Sequence, residues 1–285
     1  MQHLIDAYAP REMAQRVVKV GVAKAKLPAA DSLILAVLAG AFIGLGAAFA
    51  TVATTSPELG FGPTRVLGGI AFSLGLILVV VAGAELFTGN NLVAMAWASR
   101  LVSTRHLLRN WGLVYLGNFV GSVGTALLVY FSGTWGLGGD AVGANAIAIA
   151  AAKCDLGWIE AFSRGILCNA LVCLAVWLCH SARSTTDKIL AIIWPITAFV
   201  ALGFEHCIAN MYFIPLGILL KANPEFMASL SQAPSAVGSL EWGGVANNLI
   251  PVTLGNIVGG TLMVAGVYWF AYMRNEEKKA LLAGD

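Results

Sequence analysis

Two short stretches hold the side chains with chemistry to offer. Glu85, Thr88 and Asn90 stand in Gly83-Ala84-Glu85-Leu86-Phe87-Thr88-Gly89-Asn90, and Glu205, His206 and Asn210 in Gly203-Phe204-Glu205-His206-Cys207-Ile208-Ala209-Asn210. Each stretch interrupts a long apolar run with a carboxylate and an amide, groups that hydrocarbon tolerates only when they are paired or line a cavity. With Gly, Glu and Asn at matching offsets, the two stretches predict a pair of discontinuous membrane helices that meet at a shared site. A broken helix exposes backbone N–H groups and a partial positive charge at the start of its second half. Two inverted copies would aim such ends inward and favour an anion near Leu86 to Asn90 and His206 to Asn210. Glu85 and Glu205 are expected to accept the freed N–H groups and hold the loops, with Asn90 and Asn210 as further support for the breaks.

His206 is the one histidine inside an expected span. A packed, hydrogen-bonded histidine is the plainer reading of such a residue, but its place in the second break favours a position on a conduction path. A neutral imidazole can donate a hydrogen bond to an anion, or pass it a proton near physiological pH. Protonating a small carboxylate would remove most of its desolvation cost. Thr88 offers a hydroxyl in the first break. Lys153 places a charge at the outer end of the fourth span, where a lysine can also simply snorkel. Asn118, Asn169 and Asn256 are amides within spans, as suited to joining helices as to touching a solute. Leu76 and Phe199 precede the two breaks at similar distances and could form apolar constrictions. Cys154, Cys168, Cys173, Cys179 and Cys207 form no metal signature and read as small packing residues. With no second buried histidine there is no pair for haem or a metal, so no cofactor and no metal site are expected, and a membrane enzyme is disfavoured.

The elements that position these residues follow from composition. The 285 residues are 58% hydrophobic and 11% charged, with 32 glycines and a net charge of +2. The mean hydropathy of +0.79 and apolar runs of about 20 residues describe a membrane protein rather than a soluble domain, with no expectation of a nucleic-acid partner. Arg11, Arg16, Lys19, Lys24 and Lys26 precede the first run; Arg100, Arg105 and Arg109, then Arg183 and Lys188, fill alternate connections; Arg274, Lys278 and Lys279 follow the last. The opposite connections carry Arg65, Lys153 and Lys221. This asymmetry predicts cytoplasmic termini. Residues 1–26 are polar and basic, with no apolar core of a cleavable signal.

Pro10 to Lys26 reads as an amphipathic helix with Met13, Val17 and Val20 on one side, suited to a membrane surface or a subunit contact. Spans are expected near Leu33 to Thr54, Arg65 to Ala84, Leu107 to Phe131 and Trp158 to His180, a fifth from near Lys188 that breaks at Glu205 to Ala209, and a sixth near Val245 to Met273. A turn at Pro57 to Pro63 separates the first two. Short second halves are expected at Asn91 to Trp97 and at Asn210 to Leu220, the latter with an irregular start because of Pro215. Gly117-Asn118-Phe119-Val120-Gly121 in the third span recurs as Gly255-Asn256-Ile257-Val258-Gly259 in the sixth. Three crossings per copy force the second copy to be inserted upside down. The chain divides into an N-terminal helix (1–30), a first repeat (31–132), a second repeat (158–273) and a cytoplasmic tail (274–285).

The two break stretches, together with Gly165-Ile166-Leu167-Cys168-Asn169 and Asn248-Leu249-Ile250-Pro251-Val252-Thr253-Leu254-Gly255-Asn256, resemble the formate/nitrite transporter family, most of all its formate channels. The resemblance spans nearly the whole chain. It implies an all-α, aquaporin-like protomer of six membrane helices with an inverted 3+3 repeat and two broken helices, assembled as a homopentamer in lipid. It also implies a multi-pass protein of the bacterial inner membrane that moves formate or a similar small monovalent anion in either direction, with proton coupling or pH gating as a further property; nitrite and hydrosulfide are the alternative permeants. By the same resemblance Leu86, Phe87 and Thr88 form a mobile loop, Leu76 and Phe199 the constrictions, and His206 the central pore histidine. Asn169 becomes a polar pore residue linked to His206, Lys153 the outer residue that attracts the anion, and Asn256 a polar position near the path.

Overall fold

The computed structural model describes residues 7–55, 58–230 and 237–274; Pro57, Lys278, Lys279 and nearly all of the expected tail lie outside them. Helix α1 (Pro10–Lys26) leads into α2 (Ala29–Ala53) and α3 (Phe61–Ala82). Residues 83–88 are not helical, and the chain resumes as a 3-10 turn (Gly89–Val93) and a short α4 (Ala94–Ala98). Helix α5 (Thr104–Phe131) closes the first half. The second half runs through α6 (Ala141–Cys154), α7 (Trp158–Cys179), α8 (Thr185–Ala201), a non-helical stretch over 202–206, α9 (Cys207–Lys221), the short α10 (Pro224–Ser229) and α11 (Trp242–Val258). From α11 the helix continues through a π-helical stretch (Gly259–Gly266) into α12 (Val267–Tyr272). Among the described residues five helices, namely α2, α3, α5, α7 and the continuous Trp242–Tyr272 rod, are long and apolar enough to cross a membrane. Helices α8 and α9 together supply a sixth apolar passage.

Both expected breaks are present, and both are made by glycine. Gly83 (φ 85°) and Gly203 (φ 73°) adopt the left-handed conformation that ends a helix at little steric cost. The N–H groups of Gly83 and Ala84 both return to Val79 O, and that of Phe204 to Phe199 O. The expected repeat is also visible in packing: α2 lies along α3 and α5, α7 along α8 and α11, and α3 along α8. The Gly-Asn-x-Val-Gly stretches act through close approach. A Cβ on Gly121 would stand 2.0 Å from Val37 O of α2, and one on Gly259 2.1 Å from Ile166 O of α7. No side chain fits at either place, so the asparagine three residues earlier is pressed toward the facing break.

Two expectations on elements change, and two elements gain a place that the sequence left open. The second span begins at Phe61 rather than Arg65, because Pro63 falls in the first turn, where its missing N–H costs nothing. The second half-helix begins at Cys207, not Asn210, and is regular from its start, with Pro215 inside it. The small-residue run before Lys153 is a helix, α6, whose alanines and glycines let it lie against α9; the Cβ of Ala150 is 2.4 Å from where a Gly217 Cβ would be. Finally, α1 lays its apolar face on the chain's own fold. It buries Met13, Ala14, Val17, Val18, Gly21 and Ala25, packing its apolar side chains in a cluster with Leu92, Val93, Met95 and Ala96 just past the first break. Val20, expected on that side, is 38% exposed. Each fully buried valine or methionine contributes about 1.5–3 kcal/mol relative to water, so α1 is an integral part of the fold. Helices α1 and α6 thereby occupy matching places, each running up to one break and carrying a lysine near its end.

Candidate permeation site

The break loops are built by the same polar scheme twice. Asn118 of α5 donates from Nδ2 to Ala36 O (2.7 Å) and Glu85 O (2.9 Å) and accepts the Phe87 N–H at Oδ1 (2.9 Å). Asn256 does the same in the second half, donating to Gly165 O (2.8 Å) and Glu205 O (2.9 Å) and accepting the Cys207 N–H (3.0 Å). The Glu85 and Glu205 N–H groups go to Leu35 O and Arg164 O. The freed backbone groups are thus taken by asparagines and neighbouring helices, not by the glutamates. Both ends of the Asn256 amide are spent on this, so it supports the break, the helix-joining one of the two roles open to it, and lines neither cavity described below.

The glutamates instead anchor side chains. Lys24 Nζ donates to Glu85 Oε1 (2.6 Å) and Asn90 Oδ1 (3.0 Å), while Asn90 Nδ2 donates to Glu85 Oε2 (2.7 Å) and Asn110 Oδ1 (3.0 Å). In the other half Lys153 Nζ donates to Glu205 Oε1 (2.8 Å), and Asn210 Nδ2 to Glu205 Oε2 (2.6 Å) and Asn248 Oδ1 (2.7 Å). Lys153 is therefore a mostly buried, paired residue at the end of α6 rather than a snorkelling lysine on the fourth span. Asn210 Oδ1 has no partner where Asn90 Oδ1 takes Lys24. Lys24, Asn110 and Asn248 were not singled out from sequence. Their signal was there in principle: a lysine closing a small-residue segment ahead of each repeat.

The two breaks meet at Thr88 and His206, whose Oγ1 and Nε2 atoms are 2.9 Å apart. His206 caps α9: its Nδ1 accepts the Ala209 N–H at 3.1 Å. A nitrogen that accepts cannot carry a proton, so in this arrangement the imidazole is neutral, its hydrogen sits on Nε2, and Nε2–H donates to the Thr88 oxygen. The Thr88 hydroxyl hydrogen is left to point elsewhere. Asn169 does not bond His206. It holds the Thr88 side of the contact, with Nδ2 facing Thr88 O (3.3 Å), Asn91 Oδ1 (2.7 Å) and Asn256 O (2.6 Å). Two hydrogens serve three acceptors there, and the longest contact is the one to the loop. Cys173 Sγ also reaches Thr88 O at 3.3 Å.

A cavity lies on each face: one reaches His206, and the other reaches Glu85, Leu86, Gly89 and Asn90 around the first break, with Thr88 lining neither. On the face that carries α1, a cavity of about 640 Å³ is lined by Leu76, Leu86, Glu85 and Asn90, with Arg16, Lys19, Lys24 and Lys188 around it. On the opposite face, where α3 begins, one of about 460 Å³ is lined by Phe199, His206, Glu205 and Lys153. Leu76 and Phe199 are 2% and 3% exposed and stand at the inner ends of the two cavities beside the break residues. The Phe199 ring lies 6.0 Å from the His206 ring. Phe87 departs from its expected place: its ring packs edge-on against Tyr115 (4.9 Å) and Trp111 (6.2 Å) and lines neither cavity. His180, just past the end of α7, borders the α1-side cavity; burial first, then Arg16, Lys24 and Lys188, push its pKa down to about 4, so it is neutral near pH 7. Arg164 is a further site residue without a motif to mark it. It stands in the second turn of α7, inside an apolar span, and lines the cavity of about 460 Å³.

The chain has relatives along its whole length. The formate/nitrite transporter family model matches residues 11–270. The formate channel FocA of Escherichia coli strain K12 is 42% identical over 276 residues, covering 95% of this chain and 97% of the relative. That of Haemophilus influenzae is 43% identical over 241 residues, covering 83% and 84%. Among solved structures, a pentameric formate channel with formate bound matches with a TM-score of 0.81 at 45% identity, covering 86% of this chain and 98% of the other. An FNT family ion channel matches at 0.76 and 29% identity, covering 91% and 98%. These matches bear out the all-α, aquaporin-like membrane fold and decide against an enzyme. The chain belongs to the formate/nitrite transporter family.

Proposed function

We propose that this protein is a channel for formate and related small monovalent anions, working as a homopentamer in the bacterial inner membrane with one path per subunit. The 2.9 Å Thr88–His206 contact between two cavities of opposite faces carries the reading. An anion leaving either cavity must shed water beside Leu76 or Phe199, and a charge in such surroundings is costly unless it meets donors. His206 Nε2–H and the Thr88 hydroxyl are neutral donors at that point, and Lys24 and Lys153 supply positive charge one shell farther out. The kinship with formate channels favours formate over nitrite or hydrosulfide.

The histidine acts here as a hydrogen-bond donor in preference to a proton donor. Giving up the Nε2 proton while Nδ1 still accepts from Ala209 would leave an imidazolate, and protonating Nδ1 would set two N–H groups against each other and uncap α9. Proton transfer therefore requires the cap to open first. By the charge asymmetry the α1 face is cytoplasmic, and Leu86 and Thr88 belong to a loop whose movement governs the path.

The test is flux of formate, nitrite, acetate, chloride and hydrosulfide in sealed proteoliposomes, with and without a pH gradient. Formate is expected to move fastest, with chloride and acetate well behind. Uniform leakage of all five, or none of formate, contradicts the proposal.

A further inference from the structure

One difference between the halves stands at the second break. The first break is bonded by Asn118, Asn90, Lys24 and Trp111, and the residue whose carbonyl accepts the break N–H there is Leu35; its counterpart in the second half is Arg164. Arg164 Nη1 donates to Gly203 O (3.1 Å) and Nη2 pairs with Glu160. Arg65, at the start of α3, donates from Nε to Ala201 O (3.0 Å) and from Nη2 to Val200 O (2.9 Å). The two guanidinium groups converge: a Cβ on Gly203 would lie 3.0 Å from Arg65 Nη2 and 3.6 Å from Arg164 Nη1. Since the first break is built without this pair, holding the helix end is not enough to account for it.

The electrostatics point to a ligand. Carbonyls 200, 201 and 203 are the C-terminal end of α8, which carries partial negative charge and faces the cavity an anion must enter before Phe199. The arginines cover that end. The cavity lining then holds three cations, Arg65, Lys153 and Arg164; Lys153 is bonded to Glu205 and one edge of Arg164 to Glu160, while the hydrogen bonds of Arg65 go to backbone carbonyls. Two like charges drawn together with donors to spare favour a planar anion between them, and a guanidinium edge matches the two oxygens of a carboxylate.

We propose, resting on the channel reading above, that Arg65 and Arg164 form an anion-collecting site for small monovalent carboxylates at this mouth, and set the concentration dependence of entry from this face alone. The test uses the full-length protein reconstituted in liposomes of one orientation, with initial rates measured against formate supplied to either face. Arg65→Gln and Arg164→Leu, the latter restoring the apolar residue of the first repeat, are expected to raise the half-saturating formate concentration at least fivefold when formate is presented at the Arg65 face and less than twofold at the α1 face. Arg164→Lys, which keeps the charge without the fork, should recover part of the loss. A rise below twofold at the Arg65 face, or an equal rise at both faces accompanied by a lower melting temperature, overturns the proposal and leaves the arginines as props for α8. Wild-type flux separates the two levels: no formate movement in wild type defeats the channel reading, whereas normal wild-type flux with unshifted variants defeats this inference alone.

Discussion

Asn118 and Asn256 show how much one amide can decide. Each makes three hydrogen bonds to the backbone, two of them to break groups outside the helical ladder (Glu85 O and the Phe87 N–H; Glu205 O and the Cys207 N–H), and removing a partner from a buried group of this kind costs about 1–3 kcal/mol. Asn118→Leu and Asn256→Leu are each expected to cost roughly 3–5 kcal/mol and to lower the melting temperature in detergent well below that of Asn145→Leu, whose target sits near a helix end; parity among the three would refute the role. His180 gives a pH signature. Its folded pKa of about 4 lies below the ordinary 6.5, so the unfolded chain binds a proton that the folded one refuses between those values. Stability should therefore fall as pH drops from 6.5 toward 4, by up to about 3 kcal/mol, and His180→Gln should remove that part of the slope. At this scale the sequence showed which residues were polar in apolar surroundings, and so singled out Glu85, Thr88, Glu205 and His206. It did not show which way they turned. Phe87 packs away from both cavities and Asn256 serves the backbone, because rotamers and partners on distant helices decide those roles and adjacency in the chain carries no trace of them.

At the scale of elements the repeats were legible because physics repeats them: glycine where φ is positive, Gly-x-x-x-Gly where backbones touch, and Asn between. Helix α6 was harder to read, since a short run of alanines has no amphipathic stripe and becomes a helix only with α9 beside it. Helix α1 had its stripe, but nothing in its own residues named the surface it covers. That surface is the first break, and Lys24 closes it. Lys24→Met should leave Glu85 buried and unpaired and cost about 3–5 kcal/mol, with Lys24→Met combined with Glu85→Gln recovering most of the loss. Thermal unfolding of the three variants in detergent checks this. Equal losses in the single and the double variant would show that packing of α1, rather than the ion pair, holds the inner break.

At the scale of the whole molecule, the alternation of basic connections predicts that the α1 face is cytoplasmic, and one labelling experiment tests it. A cysteine placed near Arg100 should react with an impermeant reagent only from the cytoplasmic side, and one at Gly138 only from outside; the reverse pattern would invert the topology. The cysteines already present, Cys154, Cys168, Cys173, Cys179 and Cys207, are free and buried, so they contribute little background. The central claim is that the passage between the two cavities runs by His206. Formate flux into proteoliposomes by wild type, His206→Asn and His206→Phe, corrected for diffusion of the neutral acid, tests it most directly. The account predicts folded, assembled proteins in which asparagine, still a neutral donor, keeps a substantial fraction of the wild-type rate and phenylalanine loses at least tenfold. Equal flux through all three would contradict it and return His206 to a cap on α9.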